Sequence, residues 1–524
     1  MSLPTAVPTS ASILVIGGGP AGSYAAAALQ REGHQVVLLE SSKFPRYHIG
    51  ESMLPSFRNY LRFIDVEDKV VQHGFKPKPG ATFKLDHSKD TTWTDFTAHG
   101  PTFGTFNVIR SELDDIMLRH AESQGAQVYE ETRVESIEFE GDPTSSRPIA
   151  ANWVNKQGAS GKISFEWLVD ASGRAGIMST KYLKNRQMRE SLRNVAVWGY
   201  WTGARLHGEG TKIEGSGYFE ALTDESGWAW AIVLHDGTTS VGVVMHQDVS
   251  NKKKSALSAS GEKMSLTEHY LDQLQYAPGI SGLLRDTAKM VPGSIKIASD
   301  YSYYSPECAG DHFRVIGDAA NFVDPFFSSG VHIAMTGGLS AAVSICASIR
   351  NQVSEKVAQD WHNMKVGIAH TRFLFVVLGA YQQMHLQTSP VLTSDVNATN
   401  FDEAFAMFRP VIYGTADSSR ELTNEQVRDM VDKLQDHFEP VNPEQVASVR
   451  QRYGAEFLRM DANVLGASAI ADMTEGDQLG KKVLTKFDTL RVFQDDIDVK
   501  KMGRQALVGY SANIELGNLG LVEK

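Results

Sequence analysis

Three glycines set the first chemistry available to this chain. Gly17, Gly19 and Gly22 stand at G-x-G-x-x-G spacing in ILVIGGGPAGSYAAAALQ, between an apolar strand segment, Ile13 to Ile16, and a small-residue helical segment from about Ala21. At that spacing Gly17 permits a tight turn, Gly19 leaves room for a pyrophosphate, and Gly22 lets the helix pack closely, so a diphosphate meets the helix N-terminus. A second strand, Val36 to Leu39, ends on Glu40, whose carboxylate can accept from both ribose hydroxyls of an adenosine and disfavours a 2′-phosphate there. The flanking strand, helix and acidic strand end turn a weak motif into a dinucleotide site, with a purely structural glycine turn as the alternative. The βαβ unit alone does not separate FAD from NAD.

Further along, Arg46 and His48 lie in the polar connection SKFPRYHIGESMLP, where Arg46 is a candidate cofactor ligand and a solvent loop is the bland alternative. Arg110 sits where a strand passes into an amphipathic helix; it suits either a cofactor phosphate or ribose, or a structural salt bridge. A strand ending at Asp170 leads into Ala171-Ser172-Gly173, a turn small enough for a close nucleotide approach. A second strand and turn, Phe313 to Gly317, presents Asp318, which can hold a polar sugar chain such as ribityl. No metal is expected, because His48 and His332 fall in separate cofactor motifs and His362 and His370 are eight residues apart on a helical run.

Positioning these groups requires a large chain, and 524 residues exceed a minimal dinucleotide module. The expected fold is α/β: an FAD-dependent monooxygenase-like dinucleotide-binding core over residues 1–380, an antiparallel substrate sheet interleaved at about 192–306, and a mainly helical, substrate-covering C-terminal region over 381–524. With 51 basic against 62 acidic residues the net charge is −11, which argues against nucleic acid as a main partner. Two cysteines, Cys308 and Cys346, give no disulfide framework and fit a reducing, cytoplasmic compartment. The apolar run at Ile13 breaks at Gly17, and FLFVVLGA near 373–380 is too short to span a bilayer, so neither a signal peptide nor a membrane partner is expected.

Taken with FPRYHIGESMLP, GFKPKPGATF, GWAWAI and GDAANFVDPFFSSGVH, the chain resembles the flavin-dependent halogenases, particularly the fungal branch that modifies phenolic polyketides. The resemblance covers most of residues 10–380, and GWAWAI is its most discriminating part. It implies FAD, supplied as FADH2 by a separate NAD(P)H-dependent flavin reductase, which reacts with oxygen to a flavin hydroperoxide. Chloride or bromide attacks this to give hypohalous acid, which travels through a tunnel to a phenolic small molecule.

By the same resemblance Lys78 is the catalytic lysine, orienting hypohalous acid as an ammonium or forming a haloamine as a free amine; a surface lysine beside Lys76 and Lys84 is the alternative. Trp228 and Trp230 shape the tunnel, with an ordinary core stripe as the alternative, and Val233 replaces the family's usual proline. Ser329 and Gly330 bind halide through backbone amides, or form a plain flavin-binding turn. Phe327 stands where tryptophan-modifying relatives carry glutamate, which favours an electron-rich phenol such as a free polyketide or resorcylic macrolactone over free indole. The competing enzyme class is an FAD-dependent aromatic hydroxylase, set apart by Lys78 and the paired tryptophans.

Overall fold

The computed structural model describes residues 6–97, 104–257, 264–299, 302–387, 443–458, 465, 467–492 and 506–524. Its first sheet is built around the Ser10–Ile16 strand, which lies parallel to Val36–Leu39 on one side and to Ser160–Asp170 on the other. Phe313–Val315 and Gln127–Tyr129 extend it in parallel. Every residue of Val36–Leu39 is buried, as the unbroken apolar run of a strand covered on both faces requires. The Pro20–Arg31 helix covers one face and crosses the Gly330–Ile349 helix; a methyl added at Gly338 would come within 3.0 Å of the Ala21 carbonyl, so the two backbones nearly touch.

Gly17 earns its place at two levels. Its φ is +101°, and an added Cβ would stand 2.2 Å from the Ala171 carbonyl oxygen, so the turns after the first and the Ser160–Asp170 strands interlock only around a bare backbone.

The second sheet runs Asn194–Thr202, Thr238–His246, Gly227–Val233, Gly217–Ala221 in antiparallel order. The expectation of a purely antiparallel sheet within 192–306 needs amending. Gly80–Lys84 joins it parallel to Gly217–Ala221, and Thr92–Asp95 pairs antiparallel at the edge. A parallel neighbour needs a long crossover, and the chain between residues 84 and 217 supplies it.

Two long helices follow, Gly330–Ile349 and Glu355–His385. The first is long and apolar enough to cross a membrane, but 94% of its most apolar window is buried inside this fold, where it packs between sheet and helix. The second absorbs FLFVVLGA as buried helix. Cys308 and Cys346 are both buried and unpaired. Of the region beyond 380, residues 388–442 lie outside the described residues. Helices at Pro443–Tyr453, Ala467–Met473 and Gln478–Val492 agree with a helical extension. The chain then ends differently, on a hairpin of Tyr510–Asn513 and Gly520–Glu523. That hairpin docks back on the first unit, where Glu32 accepts from the Gly517 and Leu519 amides.

Candidate functional site

A cavity of about 600 Å³ opens between the first sheet's strand ends and the second sheet. Its wall includes Gly17, Gly19, Glu40, Arg46, Arg110 and Asp318 from the first unit, so the structure brings together residues that are far apart in sequence. Gly22 sits just behind the wall, where a Cβ would fall 1.9 Å from the Gly17 carbonyl oxygen. Glu40 accepts from the Gly18 amide at 2.6 Å and the Ser42 amide at 2.7 Å, which fixes its carboxylate at the strand end.

Arg110 forms the salt bridge that was its alternative and also lines the cavity, and Arg46, whose alternative was a solvent loop, does the same. Their shared partner is the fully buried Asp114, at 2.6 Å from Arg46 and 2.8 Å from Arg110. Burial works to raise the Asp114 carboxyl, but Arg110 and then Arg46 hold it below its usual range. Asp114 is one carboxylate shared by two guanidiniums, an arrangement in which both can still face a diphosphate. Asp318 is pushed up to about 6 by burial, against the pull of Arg110.

The opposite wall carries Trp228 and Trp230, two residues apart on Gly227–Val233 and therefore on one face, with ring centroids 5.7 Å apart. Each indole N–H has a buried acceptor: Trp228 donates to the Tyr381 hydroxyl at 2.7 Å and Trp230 to Ser240 at 3.2 Å. Tyr381 in turn donates to Asp324 at 2.9 Å, and Asn194 donates to the same carboxylate oxygen. The other Asp324 oxygen accepts from the Phe326 amide, so one acidic residue ties the Trp228 anchor to the turn before the Gly330 helix.

In that turn Ser328 adopts φ +56°, and Ser329 is the residue preceding the Gly330–Ile349 helix. The first-turn amides of that helix lack intrahelical acceptors, which makes its end attractive to an anion. Ser328 and Gly330 line the cavity, and the Ser329 hydroxyl is buried without a hydrogen-bond partner among the described residues. Phe327 is not on the cavity wall; it packs in the core, 5.7 Å from Phe83 and 4.8 Å from Phe326.

Lys78 lies just outside the lining and is 1% exposed, which removes the surface-lysine alternative. Its Nζ donates to Ser52 Oγ at 2.7 Å and to the Met53 carbonyl at 2.9 Å, and it sits 4.9 Å from the Phe96 ring centroid. With no carboxylate among those partners, desolvation pulls the amine down to about 7. Ser328 donates to the same Ser52 Oγ at 3.0 Å, so one hydroxyl links Lys78 to the cavity turn.

Strand register explains the arrangement. Lys76–Lys78 pairs with Thr105–Asn107, placing Lys78 opposite Thr105, while Ser52 bridges Asn107 from the other side. The sequence places Ser328 at the start of the helix expected to bind halide but shows neither Ser52 as a site residue nor the link from Ser328 to it. Ser52 lies in a segment quoted only for its likeness, and its partners are 26 and 276 residues away, beyond any local pattern. Glu51 was missed likewise: it lines the cavity, accepts from the Tyr200 hydroxyl at 2.5 Å, and is raised to about 7 by burial.

A family model described as tryptophan halogenase matches residues 12–110 and 105–409. The flavin-dependent halogenase armH5 of Armillaria mellea is 51% identical, with 98% of this chain and 99% of that protein covered. The sulochrin halogenase gedL of Aspergillus terreus is 45% identical over 98% of this chain and 94% of its own. Among solved structures, the myxobacterial chondrochloren halogenase CndH superposes with a TM-score of 0.61 at 28% identity, covering 82% of this chain and 91% of that one.

Proposed function

Because the chain belongs to the flavin-dependent halogenases, enzymes that use FAD and a halide, we propose that it installs chlorine or bromine on an electron-rich phenol, with Lys78 delivering the halogen. The observation that carries the reading is the Ser328–Ser52–Lys78 connection, which joins the cavity's anion-attracting turn to a desolvated amine. A relative is named for a phenolic substrate, sulochrin, which supports a phenolic polyketide here.

Bound reduced FAD, renewed by a separate NAD(P)H-dependent reductase, supplies with oxygen the two-electron oxidation that turns halide into hypohalous acid. Gly17, Gly19 and Glu40 would hold its adenosine end, Arg46 and Arg110 would neutralise its phosphates, and Asp318 would meet its sugar chain. The Ser329 and Gly330 amides would hold the halide at the helix end.

The protein's own task is then to confine a diffusible oxidant. Trp228 and Trp230, each locked by a hydrogen bond, wall the route, and Ser52 points the Lys78 amine toward it. As an ammonium, Lys78 donates to the oxygen of hypohalous acid and leaves its halogen electrophilic. As a free amine it forms an N–halogen bond with loss of water. In either form the phenol's ortho or para carbon attacks the halogen and then loses a proton. Phe327, buried among aromatic rings, supplies no carboxylate to stabilise a cationic arene, which suits a substrate whose own oxygen does so.

Mass spectrometry of a phenolic polyketide after incubation with reduced FAD, oxygen and chloride tests this against a chloride-free control. A halogen isotope pattern only with halide supports the reading. Addition of one oxygen irrespective of halide overturns it in favour of an aromatic hydroxylase.

A further inference from the structure

Away from the cavity, three side chains from separate elements converge on one point. His73 closes the Glu67–His73 helix, held there by Gly74 in the left-handed region at φ +86°. Glu112 stands in the first turn of the Arg110–Ser123 helix. His235 lies in the turn after Gly227–Val233, which Asp236 stiffens by accepting from the Thr238 amide and hydroxyl.

Both imidazole Nε2 atoms address the same carboxylate oxygen, Glu112 Oε2, at 2.7 Å from His73 and 3.1 Å from His235. The three candidate donor atoms all lie within 4.8 Å of one another. Two nitrogens and an oxygen bound tetrahedrally to zinc at ordinary bond lengths stand about 3.3 Å apart, so ligation asks for shifts of well under 1 Å for the two measured pairs. The Phe75 ring packs against both imidazoles, at 4.4 Å from His73 and 5.2 Å from His235, and limits their rotation.

We infer that His73, Glu112 and His235 bind one divalent transition metal ion, zinc(II), with the fourth position open to water. Two imidazoles and one carboxylate are a donor set zinc accepts. The ion would clamp the end of the Trp228 and Trp230 strand to the two helices of the cofactor side. None of the three residues lines the cavity, and the proposal stands or falls independently of the halogenation reading.

The test is calorimetric titration of zinc chloride into tag-free, full-length, FAD-loaded protein stripped of metal by chelator, alongside His235→Ala and Glu112→Ala. One saturable equivalent is expected in the wild type, weakened at least about 100-fold in each variant, since loss of a direct ligand should exceed the cost of losing an outer partner. Zinc should also raise the Tm of the wild type and not of His235→Ala. FAD binding and the metal-free Tm establish that each variant is folded; Glu112→Gln, which keeps the volume and hydrogen bonding, replaces a Glu112→Ala protein that is not. Absence of saturable binding by the wild type, or equal binding by wild type and folded variants, overturns the site and leaves the cluster as two hydrogen bonds to one carboxylate.

Discussion

The cofactor wall of the cavity and the lysine site just outside its lining solve opposite electrostatic problems. On the cofactor side, charge is abundant and mostly paired: Arg46 and Arg110 share Asp114, and Glu40 is held by backbone amides. On the lysine side a single amine is buried with a hydroxyl, a carbonyl and an aromatic ring as partners, and its charge is met by no carboxylate among them. The first arrangement tolerates permanent charge and fits an anionic cofactor. The second makes charge conditional, because burial brings the amine down to about 7.

The largest expected effect separates the two outright. Lys78→Met should lower halogenation by at least about 1000-fold, since a positioned proton donor or nucleophile is lost. FAD affinity, read by fluorescence quenching, should stay within about twofold, because the cofactor wall is untouched. Equal loss of FAD binding and halogenation would show that the two are one unit.

Ser52 is a finer probe, being a positioning residue. Ser52→Ala leaves Lys78 a carbonyl partner but removes its link to Ser328, and halogenation should fall by about 10- to 100-fold, the range for a misplaced reacting group. The telling readout is leakage: hypohalous acid trapped by a scavenger in solution should rise relative to halogenated product. Ser52→Thr, which keeps the hydroxyl, should restore coupling. A uniform slowing without leakage would mean that Ser52 only supports the fold.

The same contrast explains what could be read from the sequence. The nucleus of the cofactor wall is short-range pattern, a strand, a glycine turn and a helix within Ser10 to Glu40, and those elements lie where the pattern puts them, while Arg46, Arg110 and Asp318 join from farther along the chain. The lysine site is assembled across 276 residues by strand register and a serine in a left-handed turn, and no local periodicity records that. Lys78 was legible only through likeness to a family. The parallel entry of Gly80–Lys84 and the terminal hairpin escaped because pairing partners of isolated short strands are set by tertiary packing. The His73, Glu112 and His235 cluster escaped for the same reason.

A smaller effect tests how the tryptophans are held. Tyr381→Phe removes the acceptor of the Trp228 N–H and a donor to Asp324 in a buried setting. Destabilisation of about 1–3 kcal/mol is expected from denaturant unfolding, the cost of stranded buried polar groups. Burial already raises Asp324 to about 6 and the Tyr381 hydrogen bond opposes that rise, so the variant should move it further up.

The smallest effect is a slope, and it bears most directly on the conditional charge. In the folded protein burial brings Lys78 down to about 7 from an ordinary 10.5, so between those values the unfolded chain binds a proton the folded one does not. Stability should therefore rise with pH across that window, by up to about 1.4 kcal/mol per pH unit. Below it both states are protonated and the penalty of burying the ammonium is constant. Lys78→Met has no proton to release, so the difference in unfolding free energy between wild type and variant should change with pH between about 7 and 10.5 and be flat below. A difference independent of pH throughout would mean that the amine keeps its ordinary affinity for a proton. The limb of the halogenation rate near pH 7 then identifies the working form: a rate that climbs with pH belongs to the free amine and an N–halogen bond, and one that falls belongs to the ammonium and a hydrogen bond.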